Sequence, residues 1–260
     1  MLRVTILGCG PSGGVPLIGC DCAVCASADP RNRRSRSSIA VEGGKTQILI
    51  DASPDLREQL LRSKLTRFDA IVFTHAHADH VHGLDELRSI NYLTNSILPA
   101  YGDDATLADI RGRFGYAFEG AKPIGGFWYQ PSLDPRPIDG PFTIGTLDLV
   151  PFVQGHGLYR QSTLGFRIGA FAYSTDVKDL PEESFAALAG VKVWVVDCLS
   201  AKPNPAHSHL DQTLDWIKRV RPERAILTHM NHSLEFEALA RKLPAGVEPA
   251  YDGMVIEVPG

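Results

Sequence analysis

The chain has 260 residues, 44% of them apolar, and a formal net charge of -4. That length and composition suit one large domain or two small ones with a self-sufficient core, and the acidic balance sets aside a protein that coats nucleic acid through a broad basic face. No long apolar run opens the chain or interrupts it, so neither a signal peptide nor a membrane span is expected, and the cytoplasm is the expected compartment.

Residues 3–8 read as a first strand, followed by a flexible turn, Gly8-Cys9-Gly10-Pro11-Ser12-Gly13-Gly14. The turn lacks the Lys-Ser/Thr ending of a phosphate-binding loop and is read as structural. Three of the five cysteines crowd into Cys20-Asp21-Cys22-Ala23-Val24-Cys25. A C-x-C-x-x-C cluster without an export signal suits a metal better than disulfides, and tetrahedral zinc needs a fourth ligand from elsewhere in the chain. Cys9 and Cys198 adjoin apolar runs and are expected to be inert buried thiols. The basic run Arg31-Asn32-Arg33-Arg34-Ser35-Arg36 reads as a solvated face, with steering of anionic substrates as a second reading.

Residues 38–42 and 47–51 form an expected hairpin turning at Gly43-Gly44. Ser53 and Pro54 then suit the cap and first position of a helix whose apolar stripe is Leu56, Leu60 and Leu61. Residues 68–74 form a strand that runs into Thr74-His75-Ala76-His77-Ala78-Asp79-His80. In an extended backbone His75 and His77 share a face, which suits two nitrogens on one cation, while Asp79 and His80 lie past the turn, placed for a second cation. A helix to about Asn95 follows, in which Arg88 stands three residues after Asp85 and is expected to pair with it, and His82 is expected either behind the ligands or at the surface. Residues 98–101 read as a strand, and 103–140 as a helix followed by an irregular cover with aromatics packed as core.

Residues 142–153 read as one extended segment ending in Gln154-Gly155-His156-Gly157. A hairpin over 164–168 and 170–174 ends in Thr175-Asp176, and strand 192–198 is followed by a loop with His207 and His209. Helix 210–220 leads to strand 225–227 and Thr228-His229-Met230-Asn231-His232. A helix from Leu234 and a strand over 254–258 complete the chain. Seven candidate ligands, His75, His77, Asp79, His80, His156, Asp176 and His229, thus follow apolar strands, as if set along one edge of a sandwich.

H-x-H-x-D-H after a strand, a later Gly-His, a Thr-Asp and a late Thr-His resemble the metallo-β-lactamase superfamily of dinuclear hydrolases. The resemblance runs in order along nearly the whole chain. It implies an α/β fold, a four-layer αβ/βα sandwich, with residues 1–260 as a single metallo-hydrolase domain carrying a small zinc-binding loop at about 20–25. It also implies one divalent ion on His75, His77 and His156, a second on Asp79, His80 and His229, and Asp176 bridging them, the metal being manganese or zinc. The cysteine cluster, the Asp51-Ala52-Ser53-Pro54-Asp55 segment and Leu227-Thr228-His229-Met230-Asn231-His232 narrow the likeness to the cyclic ribose-phosphate phosphodiesterases of the carbon–phosphorus lyase pathway. That family binds a structural zinc through three cysteines and a histidine three residues after the last site ligand, here Cys20, Cys22, Cys25 and His232. It also places a catalytic histidine before the helix that precedes the last strand. His207 matches, with His209 as the alternative.

The implied function is hydrolysis of a small, cyclic sugar or nucleotide phosphodiester by a water readied between two metal ions. The implied partners are that substrate and a second copy of the chain, with no membrane and no extended nucleic acid. Two other readings are a ribonuclease Z-like nuclease, which would need an RNA-binding arm, and a metal-binding accessory protein of cofactor synthesis.

Overall fold

The computed structural model describes residues 1–120, 122–157 and 161–259. Two seven-stranded sheets face each other. The first holds β1 (Leu2–Gly8), β2 (Ser38–Gly43), β3 (Thr46–Ile50), β4 (Ala70–Val72), β5 (Leu98–Gly102) and β6 (Leu133–Pro137) side by side, with β14 (Val255–Val258) outside β1. The second holds β7 (Phe142–Ile144), β8 (Leu147–His156), β9 (Gln161–Ile168), β10 (Phe171–Ser174), β11 (Val193–Asp197), β12 (Arg224–Thr228) and β13 (Val247–Pro249) in that order.

Alternation along the strands explains the layering. Ile39, Val41, Ile48, Ile50, Ala70 and Val72 point toward the second sheet, into a core shared with Leu149, Phe166 and Tyr173. Their neighbours Ala40, Leu49, Ile71 and Phe73 point the other way, into a second core. Leu56 of α1 (Leu56–Ser63) and Leu87 and Ile90 of α3 (Leu87–Thr94) close that core. Two further helices belong to this half, α2 (Ala78–Val81) and α4 (Asp104–Arg113). The second sheet is covered by α5 (Glu182–Ala187), α6 (Leu210–Val220) and α7 (Phe236–Ala240). The four-layer αβ/βα sandwich is thus the architecture of the chain.

Strands β3 to β6 run parallel, as do β10 to β13. Parallel strands deliver their C-terminal ends to one edge, where connecting loops collect functional groups. Three residues at those ends, Asp51, Asp176 and His229, adopt the left-handed conformation, with φ of 64°, 53° and 58°. Such backbone is costly for a residue with a Cβ and is held only where its surroundings over-determine it.

Several expectations are corrected. Helix α1 starts at Leu56, because the Ser53 hydroxyl accepts from the Asp55 N–H and donates to Gln59 instead of capping a helix at Pro54. Leu61 faces solvent, outside the apolar stripe. The helix expected to run to Asn95 is broken into α2, a 3-10 turn at Leu84–Glu86, and α3. The break follows from Gly83, where a Cβ would stand 1.9 Å from the Ser53 carbonyl oxygen, so the ligand loop packs directly on the Ser53 backbone. The segment 142–153 is a hairpin, β7–β8, turning at Gly145 with φ of 55°. In the 103–140 segment Trp128 is buried and Phe114, Tyr116 and Phe118 pack on the core, but Phe127 and Tyr129 are exposed. Two strands and one helix were not expected: β6, β13 and α5.

The basic run is not a solvated face. Arg31 pairs with Asp29 and Glu237, Arg36 with Asp55, and Arg34 is 1% exposed. The Arg34 guanidinium donates to the carbonyls of Met230, Asn231 and Leu234 and to Asn32 Oδ1, at 3.4, 2.9, 2.6 and 3.2 Å. It is therefore the brace of the turn that follows His229. Replacing it by Met keeps the apolar stem but strands the Met230 and Leu234 carbonyls, each worth about 1–3 kcal/mol, whereas Asn32 Oδ1 and the Asn231 carbonyl still accept from the Phe236 and Leu234 N–H groups. Arg34→Met is expected to lower unfolding free energy by at least about 2 kcal/mol, read from urea midpoints at constant slope.

Candidate active site

The site assembles from the 75–80 loop and the ends of β8, β10, β11 and β12. His75, His77, His156 and Asp176 offer ligand atoms that all lie within 4.8 Å of one another, and so do those of Asp79, His80, Asp176 and His229. All seven residues singled out at strand ends thus meet, and Asp176 belongs to both groups. Its Oδ1 faces His156 Nε2 at 3.6 Å and His75 Nε2 at 4.0 Å. Its Oδ2 faces His80 Nε2 at 3.0 Å and His229 Nε2 at 3.3 Å. One carboxylate therefore spans two neighbouring donor sets, the geometry of a bridging ligand.

Buried residues around the loop fix which imidazole nitrogen faces inward. Asp51 accepts from the Thr74 N–H and hydroxyl, both at 2.8 Å, and lies 2.7 Å from His80 Nδ1. That contact turns His80 Nε2 toward Asp176. Thr74 Oγ1 sits 2.9 Å from His75 Nδ1 and does the same there. His75 Nε2, His80 Nε2, His156 Nδ1 and both His229 nitrogens are buried without a hydrogen-bond partner among the described residues. Buried polar atoms are rarely left so, and imidazole with carboxylate is a donor set suited to zinc or manganese. The residues present therefore fit divalent metal ions.

Charge follows the same arrangement. Burial pushes His75 well below the ordinary imidazole range and His156 down to about 4. Burial opposes charge on His80 too, but Asp176, Asp51 and Asp79 outweigh it and hold His80 well above that range. Asp176 is held well below the carboxylate range, since His229 and His80 outweigh its burial.

His207 lies beside these groups. Its Nδ1 is 3.0 Å from Asp197 Oδ2 and 3.9 Å from Asp176 Oδ1, and its ring stacks on His229 with centroids 4.7 Å apart. Burial lowers its pKa, but the Asp197 carboxylate dominates and raises it to about 9. His209, two residues on, sits at the cap of α6 with Nδ1 buried and without a hydrogen-bond partner among the described residues.

Asp51 and Asp197 were missed by sequence reasoning, although each closes an apolar strand as the ligands do. The expected Arg88–Asp85 pair does not form. Asp85 accepts from the Tyr116 hydroxyl at 2.6 Å, and Arg88 reaches the Tyr129 carbonyl at 3.4 Å. His82 is at the surface, edge-on to Phe114.

Cys20, Cys22 and Cys25 also come together within 4.8 Å, whereas His232 is not a member of that group. Cys22 accepts from the Cys25 N–H at 3.5 Å, which lowers its pKa. Asn32 links the cysteine loop to the turn bearing His232, through Ser27 at 3.2 Å and Glu235 at 2.8 Å. Cys9 and Cys198 are buried, and burial raises both thiols.

Comparison with known proteins agrees with this geometry. A sequence profile described as the beta-lactamase superfamily domain matches residues 46–230, from β3 to just past His229. The chain belongs to the metallo-β-lactamase superfamily. A solved structure described as a new diphosphatase from the PhnP family is 35% identical to this superfamily member. It aligns over 100% of this chain and 98% of its own, with a TM-score of 0.91. Zinc-bound PqqB from Methylobacterium extorquens shares the fold at 20% identity and a TM-score of 0.80, over 98% of this chain and 100% of its own. A Porphyromonas gingivalis protein named octanoyltransferase is 36% identical over 97% of this metallo-β-lactamase-fold chain but over 51% of its own length. The chain thus spans about half of that relative. Coenzyme PQQ synthesis protein B of Methylobacterium nodulans is 29% identical over 75% of this chain and 72% of its own.

Proposed function

We propose that the chain is a metal-dependent phosphodiesterase acting on a small phosphodiester, a cyclic sugar or nucleotide phosphate by the family resemblance. The observation that carries this reading is Asp176 set between two donor groups, with the Asp197–His207 pair at its side. Two divalent ions, when bound, would supply Lewis acidity toward phosphoryl oxygens and acidify a water.

The chain's own residues do the rest. Asp51 and Thr74 hold His80 and His75 with the correct nitrogen inward, so the donors are set in advance. Asp197 accepts a hydrogen bond from Nδ1–H of His207 and thereby fixes its ring, leaving Nε2 to pass a proton to the departing ester oxygen. The expected general acid is therefore His207, and not His209. Burial of the donors excludes bulk water and strengthens every charge interaction in the site.

A second reading is favoured by the likeness to the PhnP-family diphosphatase, namely cleavage of a phosphoanhydride in the same site. Purified protein, stripped with chelator and reloaded with manganese or zinc, should hydrolyse bis(p-nitrophenyl) phosphate or a cyclic ribose phosphate only after reloading. Turnover of diphosphates with no action on diesters would select the second reading. A metal-loaded protein inert toward both, but active on thioesters or lactams, would sink the two together.

Cys20, Cys22 and Cys25, completed by His232, are proposed to hold a separate structural zinc, since Asn32 ties the two loops together. Cys22→Ser and His232→Ala should each lower zinc by one equivalent per chain and reduce thermal stability, with the active-site metal retained. Unchanged zinc content in His232→Ala would remove that residue from the ligand set.

A further inference from the structure

Beside the donor groups runs a second feature that the reaction does not use. His75 and His77 open onto a recess of about 340 Å³ whose walls include Asp103 and Ser162. Those two residues also wall a larger cleft of about 780 Å³ between the end of β6, strands β8 and β9, and the start of α5. Its floor is apolar, built from Ile138, Phe152, Val153 and Leu164. Its charged lining is acidic only: Asp103, Asp139 and Glu183, with no Lys or Arg among the described residues of either wall. The Asp103 carboxylate accepts from the Thr106 N–H at 2.7 Å and is thereby fixed in place at the junction. Val153 is 50% exposed although it lies mid-strand in β8, so its apolar surface is offered to whatever enters.

A substrate phosphate at the donor groups must send the rest of its ester somewhere. Clefts of this volume hold small-molecule substituents, and apolar walls favour apolar ones. Three carboxylates around the opening disfavour a second anionic group there, because like charges in a partly desolvated cleft repel. The combination accepts a neutral hydrocarbon and turns away a chain of further phosphates.

We propose that the cleft between β8, β9 and the start of α5 is the specificity pocket of this site, taking an uncharged apolar substituent of the phosphate ester. This rests on the reading of the site as a phosphodiesterase and replaces the sugar or nucleotide arm implied by the family resemblance with an apolar one: the ester is amphipathic, with one phosphate.

The test is binding of methyl-, butyl- and octylphosphonate to the metal-loaded protein by calorimetry, which needs no turnover. Each buried methylene is worth roughly fourfold in affinity, so three or four of them should make octylphosphonate bind about 100-fold tighter than methylphosphonate. Val153→Asp should remove at least tenfold of that gain and leave methylphosphonate unchanged. Glu183→Lys should selectively improve a phosphonate of butyl length that ends in a carboxylate. Equal binding of the methyl and octyl compounds, or a chain-length gain that survives Val153→Asp, overturns the proposal. Failure of the parent reading is visible separately, as absence of turnover on every phosphoester while the phosphonate series still reports on the cleft.

Discussion

Asp176→Asn is expected to lower kcat by at least about 10³-fold, about 4 kcal/mol of barrier, and to cost at least one active-site metal ion per chain. The substitution isolates charge. Asn tolerates the left-handed backbone that Asp176 holds at φ of 53°, so the turn after β10 is kept. What disappears is the anion whose two oxygens face His75 and His156 on one side and His80 and His229 on the other. Without it the two donor groups lose their shared ligand, and the remaining imidazoles bring no negative charge to offset that of divalent ions. Asp176→Ala should behave the same in activity and be less stable by about 1 kcal/mol or more, because Ala is strained in that backbone region. Elemental analysis per chain, beside turnover, checks both. Wild-type metal content and rate in Asp176→Asn would mean that the two donor groups act without a shared carboxylate.

His207→Ala should retain metal content yet lose about 10²–10⁴ of kcat on a diester, the usual range for a general acid. Substrates with a very good leaving group, which need little proton help, should be affected least. Asp197→Asn gives the companion result. The amide keeps an acceptor for Nδ1–H but removes the charge that overcomes burial and raises His207 to about 9. A group whose pKa falls loses its proton at lower pH. The alkaline limb of the kcat profile should therefore move toward neutrality in Asp197→Asn and vanish in His207→Ala. If His207→Ala loses a metal equivalent instead, the grouping of Asp197, His207 and His229 within 4.8 Å acts as a ligand set, not as an acid and its orienter.

The donor set was legible in the sequence because strand-end placement is a local property. His75, His77, Asp79 and His80 are neighbours, and His156, Asp176 and His229 each close an apolar run. Asp51 and Asp197 close such runs too, but whether a strand-end carboxylate ligates or orients depends on the rings beside it. Those rings belong to His80 and His207, 29 and 10 residues away. Arg34 was misread for a related reason. Its burial depends on carbonyls about 200 residues later, and nothing in a run of arginines reveals them. Gly83 and the break before α3 were missed because a close backbone approach leaves no periodic trace. The hairpin at Gly145 was hidden in an alternating segment whose two halves share a period.

The Arg34 brace also bears on how the protein is made. Its acceptors lie 196, 197 and 200 residues downstream, and Asn32 reaches Glu235 across 203. During synthesis at about 5–20 residues per second, the N-terminal segment emerges well before the turn that receives it. Asn32 and Arg34 thus lack these partners through most of translation. Non-local closures of this kind slow folding. The thiol loop and His229 should gain protection from hydrogen exchange in the same late step.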